Sequence, residues 1–179
     1  GLYAHDGNPI TALMAEEGIR AIAAALAPLA LDPRDLEARG DALYGAWLCG
    51  SVLGSVAMGL HHKLCHTLGG SFNLPHAETH TVVLPHALAY NAAAAPDAMV
   101  RIGRALGLPP DADAARALQG LAARHGAPTS LRALGMPADG LDRAADLAVA
   151  TPYPNPRPLA REALRALLQR AWEGAPPAA

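Results

Sequence analysis

The feature that most constrains the fold of this chain is a histidine-rich stretch at residues 59–91. It carries six of the eight histidines in the 179-residue sequence. His62 and His66 are four residues apart, as are His76 and His80. On an α-helix, that spacing places both side chains of a pair on one face. The stretch therefore predicts two helices that each present a pair of histidines.

The residues between the two pairs predict how these helices meet. Thr67–Gly70 ends in two glycines, so we expect a break there that lets the chain turn and one pair face the other. Each buried imidazole needs partners for two ring nitrogens, and burying several without a purpose would accumulate a cost in free energy. Metal ligation, proton transfer or anion binding would each account for the cluster, because neutral imidazole ligates metals and titrates near neutral pH.

Two familiar metal-site patterns are absent from this stretch. The metalloprotease motif H-E-x-x-H needs Glu directly after its first His, but Lys63 follows His62 and Glu78 lies two positions after His76. No C-x-x-C pair of the zinc-finger type occurs either. The local pattern therefore indicates a catalytic or metal-binding pocket built from histidines, without saying which.

The composition favours an all-α fold. The chain is 51% hydrophobic but only 4% aromatic, and alanine and leucine, which are strong helix formers, dominate it. A net charge of −2 without a basic block makes nucleic acid or an anionic membrane surface an unexpected partner. Two cysteines without a secretory signal favour a reduced, cytoplasmic setting. No apolar run reaches the ~18 residues that a membrane span needs.

Helix-start signals divide the chain into short helices. Asn8-Pro9 combines an N-cap residue with proline at the first helical position. Pro75 opens a further helix to about Asn91, with Pro85 as a candidate kink. We predict one domain over residues 1–179 with a disordered tail at 174–179. The other predicted segments are helices at 9–27, 36–54, 55–68, 97–106, 111–125, 129–134, 139–150 and 159–172, and an extended connector at 151–158.

Residues 59–91 also resemble a known family. The pattern G-x-x-H-x-x-x-H-x-L-G, followed by N-x-P-H, L-P-H and N, is similar to the C-terminal helical domain of iron-containing (group III) alcohol dehydrogenases, which is dehydroquinate synthase-like. GLYAHDGNP, DALYGAWLCGSVLGSV and NPRPLAREALRALL add to the resemblance. It implies a bundle-like catalytic domain from a longer two-domain enzyme, whose nucleotide-binding α/β domain comes earlier. By itself such a domain is expected to be inactive.

The resemblance assigns roles to three histidines. His62 and His76 match the two histidines that bind an iron or zinc ion in the wider family, where a metal is present. His66 matches a histidine near the nicotinamide and implies contact with the cofactor and proton relay. The wider family has His-Gly where this chain has His76-Ala77. Three other histidines either line the pocket or make structural hydrogen bonds: His61, His80 and His86.

The resemblance further implies reduction of the carbon–carbon double bond of maleylacetate to give 3-oxoadipate, with NADH or NADPH, during aromatic-compound breakdown. The substrate is a small dicarboxylate, so cationic groups are expected nearby. We assign substrate binding to Lys63, Phe72 and Asn73, although a surface lysine is an equally good reading of Lys63. A cytoplasmic homodimer is expected.

Three alternatives stay open at this point. One is a metal-dependent alcohol dehydrogenase of the same family, which an aspartate ligand upstream would favour. Another is a non-enzymatic metal-binding helical domain that uses His62, His66 and His76, with His80 as a fourth candidate ligand. The third is a purely structural or dimer-forming domain, in which replacing histidines changes stability but not activity.

Overall fold

The structure, a computed structural model, describes residues 1–178 and shows helices joined by loops, with no strand in that range. The predicted all-α class is confirmed. None of the helices in the described part of the chain is both long and apolar enough to cross a membrane. The elements are α1 Pro9–Leu31, α2 Leu36–Leu53, α3 Leu60–Phe72, α4 His76–Asn91, a 3₁₀ turn Ala92–Ala94, α5 Pro96–Ala105, α6 Ala114–Arg124, α7 Gly140–Ala150 and α8 Arg161–Glu173.

The chain forms two compact units, and the first contains α1, α2 and α5 within residues 1–57 and 95–114. The Asn8 side chain accepts hydrogen bonds from the backbone N–H groups of Ile10 and Thr11 at 2.9 and 3.0 Å. Thr11 Oγ1 accepts in return from the Asn8 N–H, which completes a capping box. The predicted start of α1 is therefore confirmed. The helix ends later than predicted because it continues through Pro28.

Helices α1 and α2 approach each other closely at two buried glycines. A Cβ atom on Gly18 would lie 2.7 Å from Cys49 Sγ and 3.1 Å from the Gly45 carbonyl oxygen. A Cβ atom on Gly45 would lie 2.9 Å from the Gly18 carbonyl oxygen. Glu16 of α1 also accepts a hydrogen bond from Arg101 of α5 at 2.6 Å. Backbone proximity thus holds α1 to α2, and an ion pair adds α5.

Part of the exposed face of α2 is apolar. Leu48 is buried, but Leu43 and Trp47 are 71% and 66% exposed. Leu36 shares their face, since seven and eleven residues are close to whole helical turns, and it is 82% exposed. The three side chains form an apolar stripe on the surface of this unit.

The second unit spans residues 58–94 and 115–178, and includes α3, α4, α7, α8 and nearly all of α6. Its core is aliphatic, as expected for a chain rich in leucine and alanine. The fully buried large side chains of this core are Leu60, Leu64, Leu68, Val82, Val83, Leu131, Leu141, Leu164 and Leu168. Burying each one contributes roughly 1.5–3 kcal/mol.

Helix α3 departs from its predicted boundaries. It begins at Leu60, after a turn, and runs through the two glycines to Phe72. Asn73 then ends it in the left-handed region, with φ 53° and ψ 37°. The predicted break at Thr67–Gly70 is therefore wrong. Glycine weakens a helix without ending it, whereas the left-handed residue changes the direction of the chain.

Two other segments also differ from the predictions. Residues 129–134 contain turns in place of the predicted helix. Composition predicts disorder at 174–179, but residues 174–178 make specific contacts. The Ala175 carbonyl accepts from Gln119 Nε2 at 3.0 Å, and the Pro176 carbonyl accepts from the Arg170 guanidinium at 2.7 and 2.9 Å. Position 179 lies outside the described residues, and the assignment of the chain to a single domain stays a prediction.

Candidate functional site

Helices α3 and α4 bring five imidazoles together. Two turns of α3 carry three of them, and the first turns of α4 carry the other two. His62 lies at the centre, with ring centroids 4.4 Å from His66, 4.9 Å from His80 and 6.5 Å from His76. The spacing of the histidine pairs predicts this facing arrangement. We call the five rings the histidine cluster: His61, His62, His66, His76 and His80.

Two ring nitrogens of the cluster are buried in contrasting surroundings, one with a hydrogen-bond partner and one without. His61 Nε2 donates to the backbone carbonyl of His80 at 3.0 Å, since a carbonyl oxygen can only accept. His80 Nε2 is buried and has no hydrogen-bond partner within residues 1–178. His61 and His80 thus belong to the cluster, although the sequence alone did not decide whether they line the pocket. The sixth histidine of the stretch, His86, is only 1% exposed and lies on α4, about one and a half turns beyond His80.

Burial keeps several of these rings neutral at physiological pH. Burial is the main cause that lowers the pKa of His61 and of His80 to about 4; neighbouring imidazoles add to the effect, and at His61 the hydrogen bond to the His80 carbonyl opposes it. Burial also lowers the pKa of His62, followed by the charges of His66, His76 and then Lys63. A neutral imidazole has one N–H donor and one free lone pair. The cluster therefore offers both hydrogen-bond donors and metal ligands.

The structure places the three predicted substrate-binding residues in different surroundings. Lys63 is exposed, with its ammonium nitrogen 6.0 Å from the centroid of the Tyr153 ring, and it is near enough to lower the pKa of His62. Phe72 packs against the aliphatic core and Gly140, where a Cβ atom would lie 2.5 Å from its Cε1. Asn73 is exposed at the end of α3. Their roles in binding stay predictions.

The start of α3 is anchored by two asparagines that the sequence analysis missed. Asn91, fully buried at the end of α4, exchanges two hydrogen bonds with Asn155 of the proline-rich connector, at 2.7 and 3.1 Å. Asn155 Oδ1 also accepts from the backbone N–H of Leu60 at 3.4 Å. We call this pair the asparagine clamp. It ties the connector to the first residue of the helix that carries three cluster histidines.

Arg157, next to the clamp, contacts the end of α4. Its guanidinium donates to the Tyr90 carbonyl at 3.2 Å and lies 4.2 Å from the centroid of the Tyr90 ring. The sequence offered one signal for the clamp: Asn91 ends one of the segments similar to the known family, and Asn155 begins another. The two residues are 64 positions apart, so nothing in the sequence pairs them.

Comparison with known proteins places this geometry in context. Residues 1–172 match the sequence model of the Fe-containing alcohol dehydrogenase family, C-terminal. Maleylacetate reductase of Burkholderia cepacia is 68% identical over 98% of this chain and 49% of its own length. Maleylacetate reductase of Sphingobium indicum is 62% identical over 99% of this chain and 49% of its own length. The chain thus spans about half the length of the curated relatives that it matches.

Solved structures show the same relationship. Maleylacetate reductase from Agrobacterium tumefaciens superposes with a TM-score of 0.94 at 56% identity, over 98% of this chain and 49% of that one. A putative alcohol dehydrogenase from Ralstonia eutropha superposes with a TM-score of 0.96 at 66% identity, over the same shares. A 1,3-propanediol oxidoreductase gives 0.88 at 28% identity, over 96% and 47%.

Proposed function

Because the chain belongs to the Fe-containing alcohol dehydrogenase family and matches the C-terminal domain of its members, we propose that the protein reduces maleylacetate to 3-oxoadipate with NADH or NADPH. Several relatives at 58–68% identity are named maleylacetate reductase. The observation that carries the proposal is the histidine cluster, because a reaction that develops negative charge needs preorganised hydrogen-bond donors. The nicotinamide is bound mainly by the half of the enzyme outside this chain.

The proposed reaction is a conjugate reduction. Hydride from the nicotinamide adds to the alkene carbon farther from the ketone, and the π electrons move to the ketone oxygen to form an enolate. His62 and His76 stabilise that oxygen by hydrogen bonds. His66, whose ring is exposed at the edge of the cluster, relays a proton from water to the other alkene carbon. The products are oxidised nicotinamide and the saturated keto acid.

The family name raises the question of whether His62 and His76 suit a metal ion. An ion about 2.1 Å from one nitrogen of each ring, at a tetrahedral angle, would place the ring centroids roughly 5–5.5 Å apart, and the measured separation is 6.5 Å. The two rings suit an iron or zinc site in chemistry and position, and binding would draw them about 1 Å closer. Such an ion would act as a Lewis acid on the ketone oxygen. Further ligands would come from the other half of the enzyme, as the described residues add no third ligand to this pair.

Substrate recognition and assembly complete the proposal. The substrate carries two carboxylates, and Lys63 supplies a positive charge next to His62. Phe72 and Asn73 shape the turn between the two helices that bear the cluster. We place the enzyme in the cytoplasm as a homodimer, with the apolar stripe of α2 available for burial against protein.

The test is an assay of the enzyme that carries both halves. Oxidation of NADH and NADPH is followed at matched concentrations with maleylacetate and with simple aldehydes, before and after treatment with a chelator. Rapid turnover of maleylacetate supports the proposal, and turnover that survives chelation would show that the histidines act without a metal ion. Turnover of aldehydes alone, abolished by chelator, would instead identify a metal-dependent alcohol dehydrogenase.

A further inference from the structure

A second set of ligand-type side chains lies on the buried side of the histidine cluster. His61 and Cys65 are four residues apart on α3, and His80 reaches them from α4. One ligand atom from each of these residues lies within 4.8 Å of the other two. Among the described residues no other group of three histidine, cysteine or acidic side chains meets that spacing. None of the three belongs to the residues assigned to the family metal.

We infer that His61, Cys65 and His80 form a zinc-binding site. One thiolate and two imidazoles are ligands that Zn²⁺ prefers, and three protein ligands leave a fourth tetrahedral position for water. In a bound site the ligand atoms lie roughly 3.3–3.6 Å apart, given Zn–N and Zn–S bonds of about 2.1 and 2.3 Å. The ligand atoms, which lie within 4.8 Å of one another, would each have to shift by about 1 Å, a distance that side-chain rotation can cover.

Two details of the structure favour ligation over simple packing. His80 Nε2 is buried without a partner in the described part of the chain, which carries a cost in free energy that a metal bond would remove. His61 donates its Nε2–H to the carbonyl of His80 at 3.0 Å. Metal-ligating histidines commonly donate their second ring N–H to a backbone carbonyl, which fixes the tautomer and orients the ring. His80 therefore has a ring nitrogen available to bind a metal ion, and the ring of His61 is already oriented by its hydrogen bond.

Cys65 is the residue that makes this site distinguishable from the family one. It is 1% exposed and belongs to the same aliphatic core as Leu64, so its thiol is shielded from oxidants in the solvent. A metal ion would stabilise its thiolate by direct coordination. The proposed reduction of maleylacetate does not depend on this ion, so either proposal can fail without the other.

The test uses Co²⁺ as a spectroscopic substitute for Zn²⁺ in the full chain, freed of metal by chelator. Thiolate coordination gives a near-ultraviolet sulfur-to-cobalt charge-transfer band, which imidazoles alone do not produce. We expect one equivalent of Co²⁺ to produce the band and Zn²⁺ to displace it. Cys65→Ala and His80→Gln should abolish the band and weaken Zn²⁺ binding by about 100-fold or more. Cys49→Ala, at the other cysteine, and His62→Gln with His76→Gln should retain it.

Far-ultraviolet circular dichroism checks that each variant folds. Cys65→Ser keeps the size of the side chain and removes the thiol, so it repeats the test if Cys65→Ala loses helicity. Absence of a charge-transfer band in the parent chain would overturn the inference. So would a band that survives both replacements of Cys65, or one that disappears with His62→Gln and His76→Gln, because the metal would then occupy the family position.

Discussion

The two helix pairs of this chain, α1–α2 and α3–α4, are held together in opposite ways. In α1–α2 the contact is made by backbone, at Gly18 and Gly45, where any side chain would collide with the facing helix. In α3–α4 the histidines of the two helices meet ring to ring, with centroids 4.9–6.5 Å apart across the contact. A contact made by helical backbone has no titratable group, and its N–H and C=O groups are largely used within the helices. A contact made by imidazoles costs burial of polar atoms and gains chemistry.

The largest expected effect is on catalysis, at the histidine contact between α3 and α4. In the enzyme with both halves, His66→Ala should lower kcat by about 10²–10⁴-fold, because a positioned proton relay contributes on that order. Helical content should stay unchanged, since the His66 side chain is exposed. Initial rates of NAD(P)H oxidation measure the effect, with His5→Ala, another exposed histidine, as the control. Near-normal turnover by His66→Ala would remove this residue from the proposed mechanism.

At the glycine contact between α1 and α2, substitutions are expected to change stability. Gly45→Ala should lower the free energy of unfolding by about 1–3 kcal/mol, because its methyl group would meet the Gly18 carbonyl at 2.9 Å. Gly50 lies on the same helix with no atom within 4 Å of an added Cβ. Gly50→Ala should therefore stabilise by about 0.5–1 kcal/mol. Urea unfolding of both variants gives the comparison, and equal effects at the two positions would contradict close packing.

The asparagine clamp allows a test of how the second unit positions its active helix. Asn155→Ala should cost about 1–3 kcal/mol, since it leaves the fully buried amide of Asn91 without its partner. Adding Asn91→Ala should then cost less than it does alone, because the unpaired amide is removed as well. Chemical denaturation of the two single variants and the double variant closes the cycle. Additive losses would show that the two amides act independently.

The smallest effect expected is on the pH dependence of stability. Burial lowers the pKa of His86 to about 4 from the ordinary 6.5, so the unfolded chain binds a proton that the folded one does not between those values. Its contribution is fully present above pH 6.5 and is lost as the pH falls towards 4. His86→Leu should remove roughly 1–2 kcal/mol of the loss in unfolding free energy between pH 7 and 5. Urea titrations at the two pH values measure it, and an unchanged pH dependence would contradict a buried neutral imidazole.

Local patterns predicted most of the helices and the facing histidine pairs. Asn8-Pro9 set the start of α1, and the four-residue spacing of His62 with His66 identified one face of α3. The double glycine misled because helix ends depend on the residue that reverses the backbone, here Asn73, and not on glycine content alone. The sequence did not predict which residues far apart along the chain contact one another.

The candidate site shows the same limit more sharply. The sequence identified the residue types, but His61 and His80 could be assigned only once α3 and α4 were seen side by side. Phe72 reads as part of the turn in sequence, but its ring packs against Gly140, 68 positions later. A hydrophobic residue at the end of a helix has several faces of the core available, and only tertiary packing selects one.

The asparagine clamp also affects how the protein ages chemically. Asparagine commonly deamidates when the backbone nitrogen of the next residue attacks its side-chain amide and closes a five-membered imide. Asn155 is followed by Pro156, whose nitrogen carries no hydrogen, so that ring cannot form in the usual way. Asn91 is fully buried at the end of α4, where the backbone has little freedom to adopt the attacking geometry. The amides that anchor the histidine-bearing helix are thus protected from slow conversion to carboxylates.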